Sequence, residues 1–252
     1  GCSHQDKVAL YLYNGPEYLQ AAFACLKVSL VPVNTNYRYG PEEILYLFDN
    51  SDAEAVVFHA TFVDLLNSVR DRLPLVKRWY MVPDESQNST PEWAVNYNDV
   101  VAHSVPDVVP AKPLSGDDML FLYTGGTTGM PKGVMWRQED LVTVLGRGGN
   151  AILQVPAAET VEEVIERVQP GQRGQVALVA CPLMHGTGQF SSFINMAMGG
   201  CIVTMPNRNF DPAKLWDEVE KHKVNSIVIV GQAFAGPMLE TLDANPGRWD
   251  LS

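Results

Sequence analysis

Short apolar runs alternate with stretches of helical periodicity along almost the whole chain. Residues 7–13 read as a buried strand, Asn14-Gly15-Pro16 as a turn and helix start, and residues 17–27 place apolar side chains three and four apart. Residues 30–33 form the next strand. The unit then repeats, with a helix from Pro41 through Phe48, a strand at 55–58, a helix at 61–70 and a strand at 79–82. Strands alternating with helices of about ten residues predict βαβ units with largely parallel sheets, an α/β fold.

Residues 83–113 are poorer in pattern and richer in Pro, Ser, Asn and Asp, which marks a connection carrying short elements. Beyond it, residues 139–145 start a helix, and 160–168 form an acidic helix whose charges read as a solvated face. Strands are predicted at 176–180, 201–205 and 226–230, and helices at 189–198 and 233–242. Asp211-Pro212 supplies an N-cap and an N1 proline for a further helix, with Leu215, Trp216 and Val219 as its apolar stripe. There is no internal repeat and no low-complexity tract. The chain divides into a first α/β portion, 1–113, and a second, 114–252, which holds the candidate chemistry.

That chemistry centres on Tyr123-Thr124-Gly125-Gly126-Thr127-Thr128-Gly129-Met130-Pro131-Lys132-Gly133-Val134, directly after the apolar run Met119-Leu120-Phe121-Leu122. Glycines let backbone N–H groups approach a ligand, hydroxyls donate to phosphate oxygens, and a lysine supplies positive charge. The combination suits a loop that wraps a polyphosphate. It is not a Walker A loop, because Met130 and Pro131 separate Gly129 from Lys132. Pro131 lacks an N–H and holds Met130 extended, and residues 133–136 read as a second strand, so the motif sits on a strand–loop–strand hairpin. The competing reading, an ordinary Gly/Thr turn, does not account for the Pro-Lys-Gly ending.

Thr124 to Gly133 resembles the phosphate-binding signature of the adenylate-forming superfamily, which includes acyl-CoA synthetases, luciferases and peptide-synthetase adenylation domains. The resemblance extends through Tyr11-Leu12-Tyr13-Asn14, Pro32-Val33-Asn34-Thr35-Asn36-Tyr37-Arg38 and Cys181-Pro182-Leu183-Met184-His185-Gly186. It is strongest toward bacterial fatty-acyl-CoA synthetases, including those that activate bulky lipid or steroid side-chain acids. It covers essentially the whole chain but only part of the family's usual length, as a partial N-terminal domain. The family's adenine, magnesium and ribose motifs and its small C-terminal domain with a catalytic lysine are not found in these residues. The chain alone is therefore expected to turn over poorly or not at all.

The resemblance implies a two-step reaction that uses ATP, Mg²⁺ and coenzyme A. A carboxylate attacks the α-phosphorus, giving acyl-AMP and pyrophosphate, and a thiol then displaces AMP. Lys132 and Thr127 are the catalytic candidates. Thr124, Gly125, Gly126, Thr127, Thr128, Gly129 and Lys132 would bind the phosphates. His185 and Thr187 would line the acyl pocket, with His185 as a wall rather than a proton carrier. For Gly231, Gln232 and Ala233 the acyl-pocket reading and that of an ordinary strand-to-helix turn stay level. Arg208 reads as a surface residue, and residues 34–39 as a loop packed and hydrogen-bonded at a sheet end, without chemistry. The rival functions are an acyl-AMP or aryl-acid ligase and a non-catalytic nucleotide-binding or interaction module.

Composition narrows the partners. A net charge of −11 argues against broad nucleic-acid or anionic-membrane binding, so an anionic ligand needs a local cation. No apolar run is long enough to span a bilayer. Cys2, Cys25, Cys181 and Cys201 form no regular framework, which points to reduced thiols and a cytoplasmic setting. Cys181 and His185 lack a second ligand pair, so no metal site is assigned. The acid and the oligomeric state stay open.

Overall fold

The computed structural model describes residues 2–104, 108, 110, 112–125, 129–151, 153–168, 174–205 and 208–252. They fall into two compact units, Gly1–Asp140 and Leu141–Ser252.

The first unit is built on a seven-stranded sheet in the order β5-β4-β3-β1-β2-β6-β7. Its strands are β1 (Lys7–Tyr11), β2 (Val31–Asn34), β3 (Ala53–His59), β4 (Arg78–Val82), β5 (Val95–Asn96), β6 (Met119–Thr124) and β7 (Lys132–Arg137). All neighbours pair parallel except β6 and β7, which form the antiparallel hairpin. Central strands are apolar along their whole length because helices cover a parallel sheet on both faces, and β1 is buried from Val8 to Tyr11.

Helices α1 (Pro16–Lys27) and α2 (Pro41–Asn50) each start on a proline with a glutamate in the first turn, which suits the missing N–H and the positive end of the helix dipole. At α2 the Gly40 N–H also donates to Glu43 Oε2 at 3.1 Å. Between β3 and β4 the expected single helix is broken into a 3₁₀ turn (Ala60–Phe62), α3 (Val63–Val69) and a second 3₁₀ turn (Arg70–Arg72). The first turn brings Phe62 against Tyr11 with ring centroids 3.9 Å apart. The 83–113 connection carries β5 and the short α4 (Tyr97–Ala102). Tyr11, Phe48, Phe58, Leu66 and Met81 lie in the core, each burial contributing on the order of 1.5–3 kcal/mol.

The unit boundary falls within α5 (Gln138–Val144). The second unit contains α6 (Val161–Arg167) and a three-stranded parallel sheet of order β10-β8-β9, formed by β8 (Val176–Val179), β9 (Cys201–Thr204) and β10 (Ser226–Val228). The solvated reading of α6 holds, with Val161 and Ile165 exposed alongside its acids.

Helix α8 (Pro212–His222) is capped as its sequence predicts: Asp211 Oδ1 accepts from the N–H groups of Ala213 and Lys214 at 3.0 and 3.2 Å. Its buried Leu215, Trp216 and Val219 pack with Leu178, Val203 and Met238 of α9 (Gln232–Ala244). Helix α7 contributes nothing to that cluster. It lies against the three strands and spans Gly186–Ala197, three residues earlier than the pattern suggests. Gly188 is the reason. A Cβ there would sit 2.5 Å from the Pro182 carbonyl oxygen, so a Gly-x-Gly sequence that reads as loop is a helical turn pressed onto the preceding chain.

Candidate functional site

The hairpin register sets the geometry of the phosphate-loop candidates. Thr124 pairs with Lys132 and Tyr123 with Gly133 across the two strands. Cross-strand partners share a face, with Cβ atoms about 4.5–5.5 Å apart, so the Thr124 and Lys132 side chains leave the hairpin on the same face. Both residues are exposed. At Gly125 and Gly129 an added Cβ would meet nothing within 4 Å, which leaves the backbone open to an incoming ligand. A donor hydroxyl, a cation and open glycine backbone at the mouth of one hairpin can hold a phosphate chain. Gly126, Thr127 and Thr128 lie outside the described residues.

The hairpin is braced from behind. Asn34, at the end of β2 and 3% exposed, donates from Nδ2 to the Tyr123 carbonyl at 2.9 Å, and its Oδ1 accepts from the Tyr123 N–H. Where parallel pairing of β2 with β6 ends, at Val33 and Phe121, the carboxamide continues it with two further bonds. Tyr123 then lays its ring across Gly133 and donates from its hydroxyl to Asn50 Oδ1 at 2.7 Å. Burial foremost, with Tyr46 and Asp52 nearby, pushes that phenol up to about 12, so it stays a neutral donor. The entry to β6 is tied as well, by Gln5 Oε1 accepting from the Met119 N–H at 2.8 Å and by His4 Nε2 2.9 Å from Asp118 Oδ1.

The expectation that the 34–39 loop hydrogen-bonds a sheet end holds, and the partner is the last buried residue before the phosphate loop. The Tyr123–Gly133 stack had a signal in the sequence: an aromatic ending an apolar run, opposite a glycine in hairpin register.

In open α/β sheets ligands sit outside the carboxyl ends of strands where the strand order reverses. In the first sheet that point lies between β1 and β3, and side chains fill it. The Tyr13 N–H donates to His59 Nδ1 at 3.1 Å, and the Tyr13 ring lies 5.1 Å from Phe62 and 4.8 Å from Tyr37.

The second sheet has a comparable point between β8 and β10. Helix α7 follows β8, whereas α9 follows β10 and packs with α8 on the Leu178 face. His185 is the N-cap of α7 and Thr187 lies in its first turn; Gly231 is the N-cap of α9, followed by Gln232 and Ala233. All five are exposed, and both segments follow the carboxyl ends of the paired strands β8 and β10. Neither helix start has a side-chain cap, and Pro237 cannot donate to the Ala233 carbonyl. Gly231 has φ 68° and open space around its Cβ position, a backbone that suits glycine. Phe234 meets Phe210 edge to face at 4.8 Å.

Cys181 is fully buried, and burial pushes its thiol above the ordinary value. Among the described residues no three His, Cys, Asp or Glu side chains gather as a metal site. The magnesium implied by the family resemblance therefore finds no protein cage in them. None of their helices is long and apolar enough to cross a membrane.

A 3-oxocholest-4-en-26-oate–CoA ligase of Rhodococcus rhodochrous is 36% identical, aligned over 100% of this chain and 45% of its own length. A medium-chain acyl-CoA ligase of Mycobacterium avium is 34% identical over 95% of this chain and 43% of its own. The chain thus spans under half the length of these curated relatives. Among solved structures, a long-chain-fatty-acid–CoA ligase of Archaeoglobus fulgidus shares the fold, with a TM-score of 0.75 at 21% identity over 100% of this chain and 45% of that one. The family model described as AMP-binding enzyme matches residues 1–248, and this chain belongs to that family.

Proposed function

We propose that this chain forms part of a longer ligase that activates a carboxylic acid with ATP, through acyl-AMP, and passes the acyl group to coenzyme A. The observation that carries the reading is the braced hairpin, in which Thr124 and Lys132 stand together beside open glycine backbone. A carboxylate acylates poorly because oxide is a bad leaving group, and adenylation replaces it with a good one. Negative charge builds on the departing pyrophosphate as the acid attacks the α-phosphorus. Protein groups aimed at that charge before reaction lower the barrier most. Thr124, Gly125 and Gly129, with Gly126, Thr127 and Thr128 between them, wrap the β- and γ-phosphates, and Lys132 offsets their charge. Magnesium, if bound with the nucleotide, would supply further charge neutralisation beside Lys132.

The acid is a fatty or steroid side-chain acid, the class named for the two sequence relatives. His185 and Thr187 wall its site, while Gly231 and Ala233 keep the β10 edge free of bulky side chains beside Gln232. The test is acid-dependent pyrophosphate release and acyl-CoA formation by the full-length protein carrying this chain. Activity on fatty or steroid acids that Lys132→Ala abolishes supports the reading. Full activity in Lys132→Ala removes the phosphate role from the hairpin.

A further inference from the structure

Resting on that phosphate-loop reading, we propose that Asn34, with Asn50 behind it, is a positioning residue for ATP: it sets the direction in which Thr124 and Gly125 leave the sheet. It acts through Tyr123, whose N–H and carbonyl it binds together. Two hydrogen bonds from one planar amide fix the distance and the twist of the peptide groups they hold, where a single bond would leave a hinge. The next residue is Thr124, so a rotation at Tyr123 becomes a displacement of the hydroxyl and of Lys132 opposite it.

The anchor itself is rigid. Asn34 pairs with Leu10 of β1, the following Thr35 N–H donates to the Leu10 carbonyl at 3.1 Å, and both Leu10 and Thr35 are fully buried. A second brace meets the far side of Tyr123. Its hydroxyl ends on Asn50, the last residue of α2, and its ring presses on Gly133, next to Lys132. Both strands of the hairpin mouth are thereby referenced to the first sheet through one tyrosine. A purely structural asparagine would stabilise the fold; a positioning asparagine also sets ligand affinity per folded molecule.

The two roles separate in a titration of the full-length protein carrying this chain with ATP, read together with thermal melting. Variants are Asn34→Asp, which keeps the acceptor but turns a second oxygen toward the Tyr123 carbonyl, Asn50→Ala, Lys132→Ala, and Val56→Ala. Val56 is buried in β3, three strands from β6, so its truncation destabilises the same sheet without touching the hairpin. The expected result is ATP binding weakened about tenfold or more by Asn34→Asp and about two- to fivefold by Asn50→Ala. Val56→Ala should bind within twofold of wild type despite its lower melting temperature. Asn34→Asp and Asn50→Ala variants that bind ATP like wild type, with Lys132→Ala impaired, overturn the positioning role alone. If wild type does not bind ATP, or Lys132→Ala binds it unchanged, the phosphate-loop reading falls and this inference with it. Should Asn34→Asp lose its cooperative melt, the exposed Asn50→Ala decides the matter on the same scale.

Discussion

Gly133→Ala tests the hairpin's internal geometry without any ligand. The new methyl would lie 2.8 and 2.9 Å from Cε2 and Cζ of Tyr123, against an ordinary contact of about 3.4–4 Å. The ring cannot simply swing away, because Tyr123 is 6% exposed and its hydroxyl is held by Asn50 at 2.7 Å. Overpacking of this kind costs about 1–3 kcal/mol. Gly133 is not in the left-handed region, so alanine also restricts the unfolded chain and returns about 0.4–1 kcal/mol. The net loss is about 1.3 kcal/mol at the midpoints of these ranges, or roughly 3–5 °C in Tm for a chain of this size. Urea and thermal unfolding of wild type and Gly133→Ala measure it directly. The same substitution in a Tyr123→Ala background should then cost nothing or stabilise, a coupling that a double-mutant cycle isolates. Gly125→Ala, with nothing within 4 Å and no left-handed φ, should leave stability unchanged or raise it by about 0.4–1 kcal/mol. An equal cost of Gly133→Ala in both backgrounds would refute the stacking argument.

Gly188→Ala should destabilise more than Gly133→Ala, by about 3 kcal/mol, because its Cβ would meet the Pro182 carbonyl oxygen at 2.5 Å and carbon at 3.0 Å, backbone atoms that cannot rotate aside. Urea unfolding checks this, and equal stability of the two variants would contradict it. At Asp84 burial opposes the charge, but hydrogen bonds from Ser86 and the Thr61 N–H, with His59 nearby, outweigh it and hold the carboxyl below the usual carboxylate range. Its stabilisation is therefore complete above the unfolded-state pKa and is lost as pH falls through the lower folded value. The Tm gap between wild type and Asp84→Asn should be widest near neutrality and shrink toward pH 3. A gap that grows with acid would reverse the sign.

The alternation of apolar runs and helical stretches made the parallel α/β plan legible, because buried parallel strands leave short continuous apolar segments that helices must cover. The hairpin was legible for a local reason: Pro131 and the flanking runs exclude a helix at the loop. The start of α7 was not, since Gly186, Thr187 and Gly188 read as loop until the close approach to Pro182 is seen. The break at residues 60–62 likewise follows from where Phe62 must go to stack on Tyr11, a contact between segments far apart in sequence. Asn34 read in sequence as the start of a packed, hydrogen-bonded loop at a sheet end, without chemistry of its own. Its partner Tyr123, 89 residues away, is visible only once β2 and β6 are neighbours. The Tyr13–His59 closure of the first switch point is equally long-range.

The most direct test of the central claim is amide NMR of the isotopically labelled full-length protein carrying this chain, titrated with ATP and, separately, with AMP. The Gly125, Gly129 and Gly133 amides should shift with ATP, much less with AMP, and not at all when ATP is added to Lys132→Ala. Shifts confined to residues away from the β6–β7 hairpin, or equal responses to ATP and AMP, would contradict the assignment of this loop to the phosphates.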